Sequence, residues 1–115
     1  MATIRKFLDG KGFDWLLGSV YIQIVRGRID GEPESVRPGW DMEIIAVYRA
    51  VARDRILDYE FSDDYGGPEC PRFIAYDPGA VYFPAQYDGA TWCEKVLYPP
   101  ERYLEGTALT PYPGG

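Results

Sequence analysis

Turn-forming residues recur so evenly in the second half of this chain that only short strands fit between them. Residues 72–76, 80–83 and 91–98 are apolar-rich runs about ten residues apart. They are separated by Asp77-Pro78-Gly79 and Tyr87-Asp88-Gly89, where glycine, proline and aspartate meet the dihedral needs of tight turns. Strands joined by such short turns can pair only antiparallel, so the spacing predicts a meander. Pro84 has no N–H to give a ladder and is expected at a strand end or an edge.

The first half reads more mixed. Residues 19–29 alternate Val20, Ile22 and Ile24 with Tyr21, Gln23 and Val25, the pattern of a strand. In residues 42–52 the β-branched Ile44, Ile45, Val47 and Val51 favour a second strand. Residues 56–61 alternate Leu57, Tyr59 and Phe61 with Ile56, Asp58 and Glu60, which predicts a third strand and a hairpin turning near residues 52–55. Residues 3–8, closed by Asp9-Gly10, fit a short helix capped by Thr3 or, because six residues are marginal for a helix, a strand. Gly10-Lys11-Gly12 reads as a turn, and residues 30–39 and 62–71 as surface loops. Pro99-Pro100 and residues 101–105 suit one helical turn before Gly106.

The fold expected is α+β, mainly antiparallel β as a meander or small sheet, with one or two short helices. A split sheet packed by one helix is the alternative. A chain of 115 residues holds one domain, placed at residues 1–106, with residues 107–115 as a mobile tail. Hydrophobic content of 46% with 16% aromatics provides for an ordered core.

The residue inventory removes most catalytic chemistries. There is no histidine, hence no imidazole base, nucleophile activator or metal ligand. Cys70 and Cys93 are too few for a cysteine-rich zinc site; they could pair as a disulfide, but in a reducing compartment the expectation is two thiols packed as small hydrophobes. No phosphate-binding glycine loop occurs, and the absence of asparagine excludes N-glycosylation. The charged amino terminus does not read as a secretion signal, and no run of apolar residues is long enough to span a bilayer, so a cytoplasmic location without membrane contact is expected. Asp58 and Glu60 on one strand face have the residue types of a glycosidase pair, and Glu60, Asp63, Asp64 and Glu69 offer oxygen ligands for a hard cation. Acids two apart on a strand are ordinarily its solvent side, and the spacing lacks a calcium-loop pattern, so no enzyme, cofactor or metal is assigned.

Charge points elsewhere. Residues 1–57 carry nine bases against eight acids, a net of +1, whereas residues 58–115 carry ten acids against Arg72, Lys95 and Arg102, a net of −7. The sum of −6 argues against direct nucleic-acid binding through Arg49, Arg53 and Arg55, which are expected to pair internally with Asp54, Asp58 or Glu60. Twelve of the eighteen aromatics lie in the acidic half, so that half is folded rather than a solvated tail. The partner-binding residues expected are Asp58, Glu60, Asp63, Asp64, Tyr65, Asp77, Tyr82, Tyr87 and Asp88. Tyrosine supplies contact area at low entropy cost, and carboxylates steer toward a basic surface. The function this implies is non-enzymatic binding to a basic protein surface. One such target is a nucleic-acid-binding complex, which an acidic domain would inhibit as nucleic-acid mimics and small anti-defence proteins of phages and other mobile elements do. The alternatives are a structural protein that self-assembles into homo-oligomers through strand edges and a small carboxylate enzyme or divalent-ion binder.

Overall fold

The computed structural model describes residues 1–28, 33–38, 41–64 and 69–98. The helical alternative at the amino terminus is the one realised. Helix α1 (Ile4–Gly10) starts where the Thr3 hydroxyl accepts from the Lys6 N–H at 3.0 Å, and it buries Ile4 and Leu8, spaced four apart on one face.

Among the described residues six strands follow: β1 (Ser19–Gly27), β2 (Glu34–Ser35), β3 (Met42–Ala50), β4 (Phe73–Tyr76), β5 (Ala80–Tyr87) and β6 (Ala90–Leu97). All pair antiparallel in one sheet, so the fold is α+β and mainly β. β3 runs along β1 from Val20 to Gly27, so β4, paired at residues 19–22, and β2, paired at Val25 and Arg26, share the opposite edge of β1. β5 and β6 extend the sheet beyond β4. The meander expected from the turn spacing is β4-β5-β6. A register shift between Ile24 and Val25 leaves Ile45 as the extra residue of a bulge, and there the burial on β1 passes from Val20 and Ile22 to Val25 and Gly27.

Residues 55–61 depart from the expected strand. Arg55–Asp58 form a 3-10 turn, and Phe61 makes only an isolated bridge with Ala2. Leu57 and Phe61 are both fully buried under α1 and the sheet, so their spacing reflects two separate anchors rather than one face of a strand. The helix is tied to this segment by Arg5, which bonds both Asp58 carboxylate oxygens and the carbonyls of Ala52 and Asp54.

One face of the sheet is covered. Val20 and Ile22, Phe73 and Ala75, Ala80 and Tyr82, and Cys93 pack against Ile4, Leu8, Phe13, Leu57 and Phe61. Each large aliphatic side chain buried here contributes about 1.5–3 kcal/mol. Phe13 meets Tyr82 edge-on at 5.3 Å and Trp15 at 4.9 Å. Both cysteines are free thiols inside this core. Pro84 sits inside β5 rather than at its end, opposite Cys93, where the β4–β5 ladder of the described residues has already stopped at Tyr82.

Among the described residues no helix or strand is layered on the other face. It presents Tyr21 from β1, Ile74 and Tyr76 from β4, Tyr87 from β5, and Trp92 and Val96 from β6, all but Tyr21 exposed. Among the described residues no helix is long and apolar enough to cross a membrane. The expected helical turn at 101–105 and the tail at 107–115 lie outside the described residues.

Candidate protein-binding site

The strand ladder decides which acidic residues meet. Tyr87 pairs with Ala90, leaving Asp88-Gly89 as a two-residue turn with φ of 52° and 83°, the doubly left-handed geometry that aspartate and glycine tolerate best. Just past this turn the Thr91 N–H donates to the Asp63 carbonyl at 2.9 Å. The segment bearing Asp63 is held from its other side by the reciprocal Ala2–Phe61 backbone bonds of 2.9 and 3.0 Å, and by Glu69, which accepts from the Ser62 N–H. Asp63, Asp64, Tyr87 and Asp88 therefore share one tip of the molecule, all exposed, with Tyr87 78% exposed.

Two residues outside the expected set join them. Trp92 lies on the uncovered face opposite Ala85, and its indole N–H donates to Glu94 at 2.6 Å. The tip thus combines two exposed aromatic rings with the carboxylates of Asp63, Asp88 and Glu94. Beside it lies a cavity of about 230 Å³ walled by Pro38, Pro84, Ala85, Thr91 and Arg72.

The remaining expected residues go elsewhere. Asp58 is ion-paired with Arg5 at 2.7 Å, and that guanidinium holds its carboxyl below the ordinary range. Its partner is thus Arg5 on α1, not the nearby Arg53 or Arg55. Glu60 is exposed between this turn and the tip. Tyr65 lies outside the described residues.

Asp77 and Tyr82 are not surface residues at all. Asp77 is 8% exposed and accepts from the N–H groups of Asp14, Gly79 and Ala80 and from the Tyr82 hydroxyl, at 3.0, 2.9, 2.9 and 2.8 Å. Burial alone would push its carboxyl up, but these four donors outweigh it and hold the group below the ordinary value. Tyr82 is in the core, and burial together with the Asp77 hydrogen bond raises its hydroxyl to about 12. Neither side chain can meet a partner. The sequence signal for this was the Asp-Pro-Gly turn, since an aspartate opening a turn commonly accepts from the N–H groups two and three residues on.

The ion pairs among the described residues join Arg5, Arg26, Arg28 and Arg37 to Asp58, Glu43, Asp41 and Glu69. None of them uses Glu60, Asp63 or Asp88, so those charges stay directed at solvent. Among the described residues no group of three or more acids and cysteines has the geometry to hold a metal ion. Comparison of the chain with family models, with curated proteins and with solved structures gives no match.

Proposed function

We propose that this protein is a non-enzymatic, cytoplasmic binding domain whose acidic aromatic tip occupies a basic surface of another protein. The observation that carries this reading is the joining of Tyr87 and Trp92 with Asp63, Asp88 and Glu94 at one tip. Exposed aromatic rings on a short hairpin bring apolar contact area with little conformational entropy to lose. Carboxylates outside the ion pairs of the described residues raise the association rate toward a positive surface and set its orientation. Basic protein surfaces of this kind are commonly built for nucleic acid, so the domain acts as an inhibitor by competing for such a surface. The Asp63–Thr91 backbone bond keeps the carboxylates in register with the aromatics, which favours a rigid, pre-shaped contact.

The test is affinity capture at low and high salt, after nuclease treatment, with wild type and with an Asp63→Lys, Asp88→Asn double variant run in parallel. The expected result is a nucleic-acid-binding protein held by the wild type, released by salt and missing from the variant. A capture pattern identical for both baits overturns the reading, and a capture abolished by nuclease moves the site to nucleic acid.

A further inference from the structure

The uncovered face of the sheet lacks the composition of a face built for water. An antiparallel sheet with one solvated side alternates apolar residues inward with polar residues outward. On β4 and β5 the inward Phe73, Ala75, Ala80 and Tyr82 alternate instead with outward Ile74, Tyr76, Val81 and Phe83. Strands apolar on both sides are ordinarily covered on both sides.

The register carries this surface across the sheet, because residues directly opposite in an antiparallel pair point the same way. Val81 is opposite Val96 and Ala85 opposite Trp92 on β6, while Ile74 is opposite Tyr21 on β1. Val47 on β3 is opposite Gln23, two residues along from Tyr21 and therefore on the same side. Val47, Ile74, Tyr76, Trp92 and Val96 are each 40–61% exposed. Together with the half-buried Tyr21, Val81 and Phe83 and the flanking Arg49 and Glu94, they offer roughly 800 Å², the area each partner gives to a standard interface.

Charge is divided between the two edges of this face. Arg49 pairs with Tyr21, Tyr21 with Ile74 and Phe83 with Glu94, and Ile74 and Phe83 each lie two residues along from the Tyr76–Val81 pair. One row thus runs from a cation on β3, across apolar and aromatic side chains, to an anion on β6. Neither Arg49 nor Glu94 is in an ion pair among the described residues. Arg72, just before β4, lies at the tip end of the face, where it walls the cavity beside the tip.

We infer that a second copy of this chain covers this face, the two sheets stacking about a two-fold axis that runs along the strands. Rotation about that axis exchanges the edges of the sheet, so each Arg49 meets Glu94 of the partner subunit on either side of an apolar centre. The face is then its own complement, as a two-fold interface requires. Sheets stacked in this way lie about 10 Å apart with strand directions within about 30°. The acidic tips fall at one end of the dimer but on opposite edges, three strand spacings and one sheet spacing apart, roughly 17 Å against a Debye length of about 8 Å. Each copy carries −6, and this contact avoids bringing like charges together. Trp92 and Glu94 belong both to this face and to the tip, so a partner that takes the whole tip binds the monomer.

Sedimentation velocity of the full chain from about 1 to 100 µM tests this. The expected result is a monomer–dimer equilibrium whose dissociation constant rises about tenfold or more with Ile74→Lys, a side chain outside the core whose replacement should leave circular dichroism unchanged. Arg49→Glu and Glu94→Arg should each weaken the dimer, and the two reversals combined should restore it, because the pair is then remade with its signs exchanged. Asp63→Lys should leave the dimer intact, so failure of the tip as a binding site and failure of the dimer are read separately. A dimer indifferent to Ile74→Lys, or a double reversal that does not restore it, overturns the inference. A chain monomeric up to 100 µM overturns it as well, leaving the face to residues 99–115 or to a different protein.

Discussion

The two turns that bound β5 use the same residue for opposite ends. Asp77 precedes the strand and Asp88 follows it, yet Asp77 is buried among four donors while Asp88 stands exposed in a left-handed turn. Around Asp77 the carboxylates are inside, while Leu16 and Leu17 are outside on the turn whose Asp14 N–H it holds. Around Asp88 the carboxylates and aromatic rings are outside. A charged side chain can be buried when enough fixed donors converge on it, and in the first turn three backbone N–H groups and one hydroxyl do so. The Asp88 turn has a partner strand on either side of it and no such convergence, so its charge remains in water.

This contrast is broken most severely at Asp77. Asp77→Ala strands four donors, and since hydrogen bonds to a charged acceptor are worth about 1.5–3 kcal/mol each and act as a unit, a loss of about 3 kcal/mol or more is expected in urea denaturation. Gly18→Ala comes next. The methyl meets the Asp14 carbonyl oxygen, which accepts from the Gly18 N–H and cannot retreat without opening that turn, and the expected cost is about 2 kcal/mol, read as a lower urea midpoint with an unchanged slope.

Alkaline pH should sharpen the comparison from the buried side. Burial raises Cys70 from 9.0 to about 12 and Cys93 from 9.0 to about 11, and burial with the Asp77 bond raises Tyr82 from 10.0 to about 12. A group whose pKa is higher folded than unfolded contributes stability that is whole below the unfolded value and is lost as pH climbs through the folded one. Tm should therefore fall between about pH 9 and 12, and Tyr82→Phe should remove part of that slope. The depressed carboxyls of Asp54, Asp58 and Asp77 act in the reverse sense, contributing above the ordinary carboxylate value of 3.8 and losing that contribution as pH drops below it. Thermal scans across both ranges check the two limbs.

The smallest effect on the fold belongs to the tip. Asp63→Lys with Asp88→Asn should leave Tm unchanged, because Asp63 is exposed and asparagine suits the left-handed turn, while slowing association with a basic partner and flattening its salt dependence. A drop in Tm comparable to that of Asp77→Ala would erase the distinction between the two ends.

The meander was legible because turn chemistry is local: Asp77-Pro78-Gly79 and Asp88-Gly89 fix where the chain reverses whatever surrounds them. Residues 56–61 misread as a strand because period-two alternation counts only which residues are apolar. Leu57 and Phe61 are apolar as two plugs beneath α1, one on a 3-10 turn and one on an isolated bridge. The acidic site was legible in part. Asp63, Asp64, Tyr87 and Asp88 do meet, through a backbone bond between Thr91 and Asp63 that no side-chain pattern announces. Trp92 and Glu94 were hidden because β6 has apolar side chains on both of its faces, so alternation does not say which face is open.

By itself the sequence determined an antiparallel, mainly β domain with its excess negative charge in the second half, because turn geometry and charge count are properties of residues taken in order. Tertiary structure decided which charges are spent. Asp58 is ion-paired with Arg5, 53 positions away, and the Asp77 charge is held by hydrogen-bond donors from two turns, whereas Asp63 and Asp88 are left facing water. Burial and pairing depend on what the chain brings alongside from far along its length, and only the folded sheet supplies those neighbours.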